Sequence, residues 1–260
     1  MSGRRPLSRP ARFALGVVPM LAVLAWWQRQ AAAGGSGGIA FASLGDIARA
    51  AGEQIANGAL QTDAVATLSH ALIGLAIGAT LGLATGIAMA LSAWAERLLG
   101  PLLQALRQVP MIGWLPLIAL WFGTGEQSQI IVVVMAAFFP AMLNAHAGVG
   151  QVEKRLIEVG HVFGLTWGQR LRLILLPAAL PMLLTGLTQA LAFAWIAAIG
   201  TEILMGSGAG LGVTLQVAQT QQRLDLVFVS VAATAVLGFL LNHSIRRLRA
   251  WLLHWQPAGI

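Results

Sequence analysis

An all-α, polytopic membrane bundle of about six spanning helices is the fold class this sequence predicts, on three observations. First, 57% of its 260 residues are hydrophobic and only 10% charged, with a mean hydropathy of +0.77. An average soluble domain has about 45–50% apolar and about 25% charged residues. Second, apolar runs close to the ~20 residues of a membrane span recur along the chain. Third, the basic residues fall between those runs and are distributed unequally over alternate loops.

The chain divides into an N-terminal part, residues 1–62, and a bundle, residues 63–257. MSGRRPLSRPAR carries four arginines ahead of an apolar run from Phe13 to Trp27. A cleavable signal peptide and a retained first span both fit this pattern. Residues 34–63 read as an outer loop bearing a surface helix. Within that loop Gly34-x-Ser36-x-Gly38 formally has a nucleophile-elbow spacing, but no strand precedes it, and it reads as linker.

The second span is expected from Ala64 to Ser92. Gly74, Gly78, Gly82 and Gly86 stand four residues apart on it. Such a stripe lets another helix approach closely, which is how membrane helices associate where lipid removes the hydrophobic driving force. The packing partner is either this subunit or a second copy. His70, near the outer end, reads as a hydrogen-bonded packing residue. The next apolar stretch is interrupted by Pro101, Pro110 and Pro116 and carries Arg107 and Gln108. Irregular helix at membrane depth requires burial in protein or a cavity.

A fourth span is expected over about 130–150 and a fifth over about 178–204. Polar groups on such helices face the bundle interior, so Asn144, Thr188, Gln189 and Glu202 are candidates for a translocation path or for packing bonds. The GSGAGLG stretch after Glu202 reads as flexible. A sixth span over about 226–245 ends at Arg246, Arg247 and Arg249.

The stretch 151–177 is different in kind. Glu153, Lys154, Arg155, Glu158, Arg170 and Arg172 would each cost about 2.5–3.5 kcal/mol at a bilayer centre, so the stretch lies outside lipid. Val152, Leu156, Val159 and Phe163 recur at helical spacing, and so do Leu171, Ile174 and Leu175. Two short amphipathic helices are expected. Gly164 is placed to end the first in a left-handed conformation, and Thr166 with Gln169 has capping-box spacing for the second. Pro177 marks the start of the next apolar run.

Thirteen of the sixteen basic residues then fall on one side, Arg107 counted among them, against Arg29, Arg49 and Arg223 on the other. By the positive-inside rule the side with thirteen, which includes both termini and the 151–177 loop, is cytoplasmic.

Glu158, Gly164 six residues on, and Ile174-x-Leu176-Pro177 resemble the EAA loop of ABC-importer permeases. Val159 and Gly160 stand where that pattern has two alanines. ALRxVP (105–110), PLxxLWFGxGE (116–126), FFPAMLNAHAGV and the Glu202 to Gly212 pattern are similar to the nitrate, taurine and alkanesulfonate branch. The resemblance implies a type I importer permease in the bacterial inner membrane, a homodimer working with a separate ATPase inside and a solute-binding protein outside. It also favours a retained first span. By the same resemblance Glu158, Gly164, Leu165, Thr166, Ile174, Leu176 and Pro177 form the ATPase-coupling element, and the solute is a small oxyanion such as an aliphatic sulfonate, taurine or nitrate.

No phosphate-binding loop occurs, the single lysine being Lys154 between Glu153 and Arg155, so ATP and Mg belong to the partner ATPase. No cofactor, metal or catalytic residue is expected in this chain, and its basic residues lack the clustering of a nucleic-acid face. The alternatives are an ATP-independent secondary transporter, against which no internal repeat is found, and a structural membrane subunit, which leaves the polar fifth span unexplained.

Overall fold

In the computed structural model residues 9–32, 41–206 and 208–254 are described, with side chains from Val18 onward. The Gly34–Gly38 tract, Arg4, Arg5 and residues 255–260 lie outside them. Among the described residues the chain is helical throughout. The elements are α1 (Arg9–Ala32), α2 (Leu44–Ala56), α3 (Ala59–Leu91), α4 (Ala93–Gln108), α5 (Met111–Phe122), α6 (Glu126–Gly150), α7 (Lys154–Val162), α8 (Trp167–Arg170), a π turn (Leu171–Leu175), α9 (Leu176–Met205), α10 (Leu211–Thr220) and α11 (Leu224–Leu252).

Four of these segments are long and apolar enough to cross a membrane: α3, α6, α11, and the continuous run from α8 through α9. The α4–α5 pair makes a fifth if its bent halves count as one span. Its halves meet at 97°. Val109 and Pro110 cause the bend, because the residue before a proline is driven to extended backbone and Pro110 cannot donate to the helical ladder. Pro101 and Pro116, by contrast, sit inside α4 and α5. α1 contains the expected first span but is not among the helices apolar enough to cross, so four or five spans among the described residues stand against the six expected; its C-terminal end is fixed by Trp27. Its indole donates to the Ala42 carbonyl at 3.0 Å, and its ring packs edge-on against Phe228 at the start of α11.

The core is the triangle of α3, α6 and α9, and it is built from small residues. Ala71, Ala79, Ala137, Ala141, Ala190, Ala194 and Ala198 are fully or almost fully buried there. All four glycines of the α3 stripe face α6. A Cβ on Gly74 would lie 2.6 Å from Val133 Cβ, and on Gly78, Gly82 and Gly86 it would meet the methyl groups of Ala137, Ala141 and Ala145 at 2.8, 3.0 and 2.9 Å. The stripe therefore packs within the subunit. On the other side of α6, Gly148 meets Met182 and Gly186 meets Asn144, each at 2.7 Å for a built Cβ. These contacts draw the backbones together so that dispersion and hydrogen bonds act over the whole helix length.

Two differences from expectation matter for function. The second short helix of the 151–177 stretch does not stop before Pro177. Leu176 N–H bonds the carbonyl of Leu171, five residues back, and this widened turn accommodates Pro177, whose missing N–H leaves one rung of the continuous ladder unmade. One rod of 39 residues, Trp167–Met205, results. The glycine-rich stretch after Glu202 is likewise not a free linker at its end, because it opens α10 in a held geometry described below.

Candidate functional sites: a hairpin, an elbow cavity and a carboxylate clamp

The hairpin at one end of the bundle is built from α7 and α8. Gly164 has φ +66°, and Leu165 N–H reaches the Gly160 carbonyl while Gly164 N–H reaches His161, each at 3.0 Å. This is a Schellman stop, in which glycine occupies the left-handed site without steric cost. Thr166 then caps α8 through Gln169, with both arms of the capping box formed. Gly160 is buried where α7 crosses the π turn, and a Cβ there would lie 2.7 Å from Ile174 Cδ1. The glycine replacing an alanine of the resembling pattern thus sets how closely the two arms cross. Arg170 also lies against the His161 ring across the hairpin. Glu158 is exposed, Leu165 and Ile174 are half-buried beneath the turn, and Leu176 and Pro177 begin α9.

The hairpin tip is apolar and uncovered. Val162 is 86% exposed, Phe163 77% and Trp167 59%. Contiguous exposed apolar groups rimmed by charge mark a protein-docking surface. Here the rim comprises Lys154, Arg155, Glu158 and Arg172, all exposed.

Behind the bend, α4, α5, α6 and α9 line a half-open cavity of about 610 Å³. Its walls include Trp114, Met135, Phe139 and Phe193, and its polar lining includes Arg107 and Gln189. Phe139 and Pro140 are at the middle of α6 and Gln189 at the middle of α9, so the cavity lies at membrane depth. Arg107, exposed at the C-terminal end of α4, lies on the rim of this cavity beside the bend. Asn144 Nδ2 donates to Gln189 Oε1 at 2.9 Å and to the Pro140 carbonyl at 2.8 Å. Thr188, a path candidate in the sequence, instead turns its hydroxyl back to the Leu184 carbonyl and does not line the cavity.

Glu202, also a path candidate, is fully buried at the opposite end of the bundle from the hairpin. Its Oε2 accepts from the Thr67 hydroxyl and from Gly212 N–H, both at 2.9 Å, and its Oε1 lies 3.0 Å from His70 Nδ1. Thr67 in turn accepts from Leu211 N–H, and Asp63 accepts from Gly210 N–H. Three successive backbone donors opening α10 are therefore satisfied by side chains, and two carboxylates sit at its positive end. Gly210 and Gly212 are required by contact, since a Cβ on either would fall within 3 Å of Glu202 atoms. His70 fulfils its packing expectation, with Glu126 3.7 Å from its other nitrogen. Asp63 and Thr67 carried no signal in the sequence, because their partners lie 135 residues or more along the chain.

A small-residue helical core, a bent half-span beside a cavity, and an exposed helical hairpin continuous with a core helix are the features of a polytopic helical membrane protein. The chain belongs to the family described as binding-protein-dependent transport system inner membrane component, which matches residues 65–255. It is 38% identical over 161 residues to the protein named as the aliphatic sulfonates transport permease SsuC of Bacillus subtilis, covering 62% of this chain and 58% of that one. It is 34% identical over 168 residues to the taurine transport system permease TauC of Escherichia coli, covering 65% and 61%. The match thus spans about three fifths of the length of those two relatives. The riboflavin transport system permease RibX of Chloroflexus aurantiacus is 34% identical over 98% of this chain and 95% of its own. Among solved structures, an inward facing conformation of the MetNI methionine ABC transporter shares the fold, with a TM-score of 0.61 at 20% identity over 76% of this chain and 98% of the other.

Proposed function

We propose that this chain is the membrane-spanning permease subunit of an ATP-driven importer for a small organic oxyanion, acting as a homodimer in a bacterial inner membrane. A separate ATPase binds the hairpin on the cytoplasmic side, where both termini also lie, and a solute-binding protein docks on the opposite face. The observation that carries this reading is mechanical continuity. The apolar tip of Val162, Phe163 and Trp167 offers a surface for a partner to grip, and the rod from Trp167 to Met205 runs from that tip along the elbow cavity to the Glu202 clamp. Closing of ATPase subunits on the hairpin would tilt the rod and change the cavity wall that Gln189 and Phe193 contribute.

The placing of thirteen of the sixteen basic residues on one side supports this orientation. The names of the sulfonate and taurine relatives support an oxyanion, whereas the riboflavin relative matches along more of the chain, so likeness alone does not fix the solute.

The test is uptake of labelled taurine and alkanesulfonate by a deletion strain carrying variants of the gene. Gly164→Val forces a β-branched residue to φ +66°, where such residues are rarely found, and opens the turn. Glu158→Lys reverses a rim charge. Both variants are expected to insert normally and to lose most uptake, at least tenfold for Gly164→Val. Normal uptake by both would remove the coupling role of the hairpin.

A further inference from the structure

We propose that the elbow cavity is a binding site for an amphiphilic organic anion, whose oxyanion is held by Arg107 and Gln189 and whose alkyl chain lies against the apolar walls of α5, α6 and α9. This rests on the importer reading and adds to it the site and the chemistry of its ligand.

Three observations converge. Arg107 reaches the cavity wall unpaired: among the described residues, the ion pairs are Arg49–Asp46, His70–Glu126, His70–Glu202, His146–Glu96 and Arg223–Asp225, and none involves it. Arg107 is exposed at the rim of this apolar-walled cavity, free to meet an entering anion, and its fork matches a pair of oxyanion oxygens. Gln189 is oriented by its neighbour. The Asn144 amide donates to Gln189 Oε1, which occupies the acceptor and leaves the Nε2 donors for the cavity. The polar groups so presented are donors, and no carboxylate lines the cavity, which selects against cations. The remaining wall, with Trp114, Met135, Phe139 and Phe193, suits a short alkyl chain, and a volume of about 610 Å³ accommodates one with its headgroup. Asn144 is a positioning residue, acting through Gln189.

The experiment is equilibrium binding of labelled hexane-1-sulfonate to the full chain in lipid nanodiscs, with methanesulfonate, propane-1-sulfonate, hexylammonium and riboflavin as competitors. Saturable binding is expected, with affinity rising about fourfold per methylene along the sulfonate series and no displacement by hexylammonium. Arg107→Gln should weaken binding at least tenfold and Arg107→Lys less, since an ammonium keeps the charge but not the fork. Asn144→Ala should weaken it a few-fold. Gln189→Leu serves as the second variant should Arg107→Gln fail to yield folded protein, and it too should reduce affinity. Equal binding by wild type and Arg107→Gln, displacement by hexylammonium or by riboflavin independent of Arg107, or no saturable binding at all would overturn the proposal. ATP hydrolysis stimulated by the loaded binding protein, measured on the same variants with the partner ATPase, separates the two readings. Stimulation that survives while sulfonate affinity proves independent of Arg107 removes this site and leaves the importer standing, whereas absent stimulation in wild type removes the importer itself.

Discussion

At Glu202 a fully buried carboxylate takes up donors from two other elements, Thr67 and His70 on α3 and Gly212 at the start of α10. Removing it as Glu202→Ala leaves Gly212 N–H and the Thr67 hydroxyl without acceptors in a dry site, and each such loss costs about 1–3 kcal/mol. The variant is expected to melt several degrees lower in detergent and to expose the α10 segment to limited proteolysis. Glu202→Gln, which keeps one acceptor oxygen, should fall between the two. A melting temperature equal to wild type for Glu202→Ala would mean that the clamp does not hold α10. The sequence marked Glu202, at the end of the fifth span, as a path or packing group but did not show what it meets. Thr67 sits in an ordinary helical run, and its acceptor is 135 residues away. Arg107 shows a related limit: counting charges places it with the other basic residues, and only the bend at Val109–Pro110 shows that it also borders a cavity.

Among the elements, the four-residue glycine spacing made close helix approach legible, and the structure adds which helix approaches. That choice could not be read in advance, because α6 and α9 both carry small residues at similar spacing and a second copy would offer the same faces. Gly82→Leu would drive a branched side chain into Ala141 and the adjoining α6 backbone. Loss of the folded, monodisperse protein in detergent is expected, with Gly82→Ala milder, and unchanged elution and melting for Gly82→Leu would refute the packing. The hairpin was legible almost residue by residue, since Gly164 and the Thr166–Gln169 box act locally. The continuity of α8 with α9 was not, because proline ordinarily signals a break and only the π turn before Pro177 absorbs it. The helix α10 went unread because ten residues behind a glycine-rich stretch lack a membrane-length apolar run, and its start is fixed by distant carboxylates instead of a local cap.

For the whole molecule, the hairpin, the long rod and the cavity form one lever only if ATP is consumed at the hairpin end and solute arrives at the other. Reconstitution of the purified chain in proteoliposomes tests this directly, with the partner ATPase and ATP on the hairpin side, the loaded solute-binding protein on the opposite side, and labelled sulfonate uptake as the readout. The account predicts accumulation toward the ATP-containing side only when ATP, ATPase and binding protein are all present. It also predicts loss of that accumulation with Gly164→Val. Accumulation driven by an ion gradient in the absence of ATP and of both partners would contradict it and identify the chain as a secondary transporter.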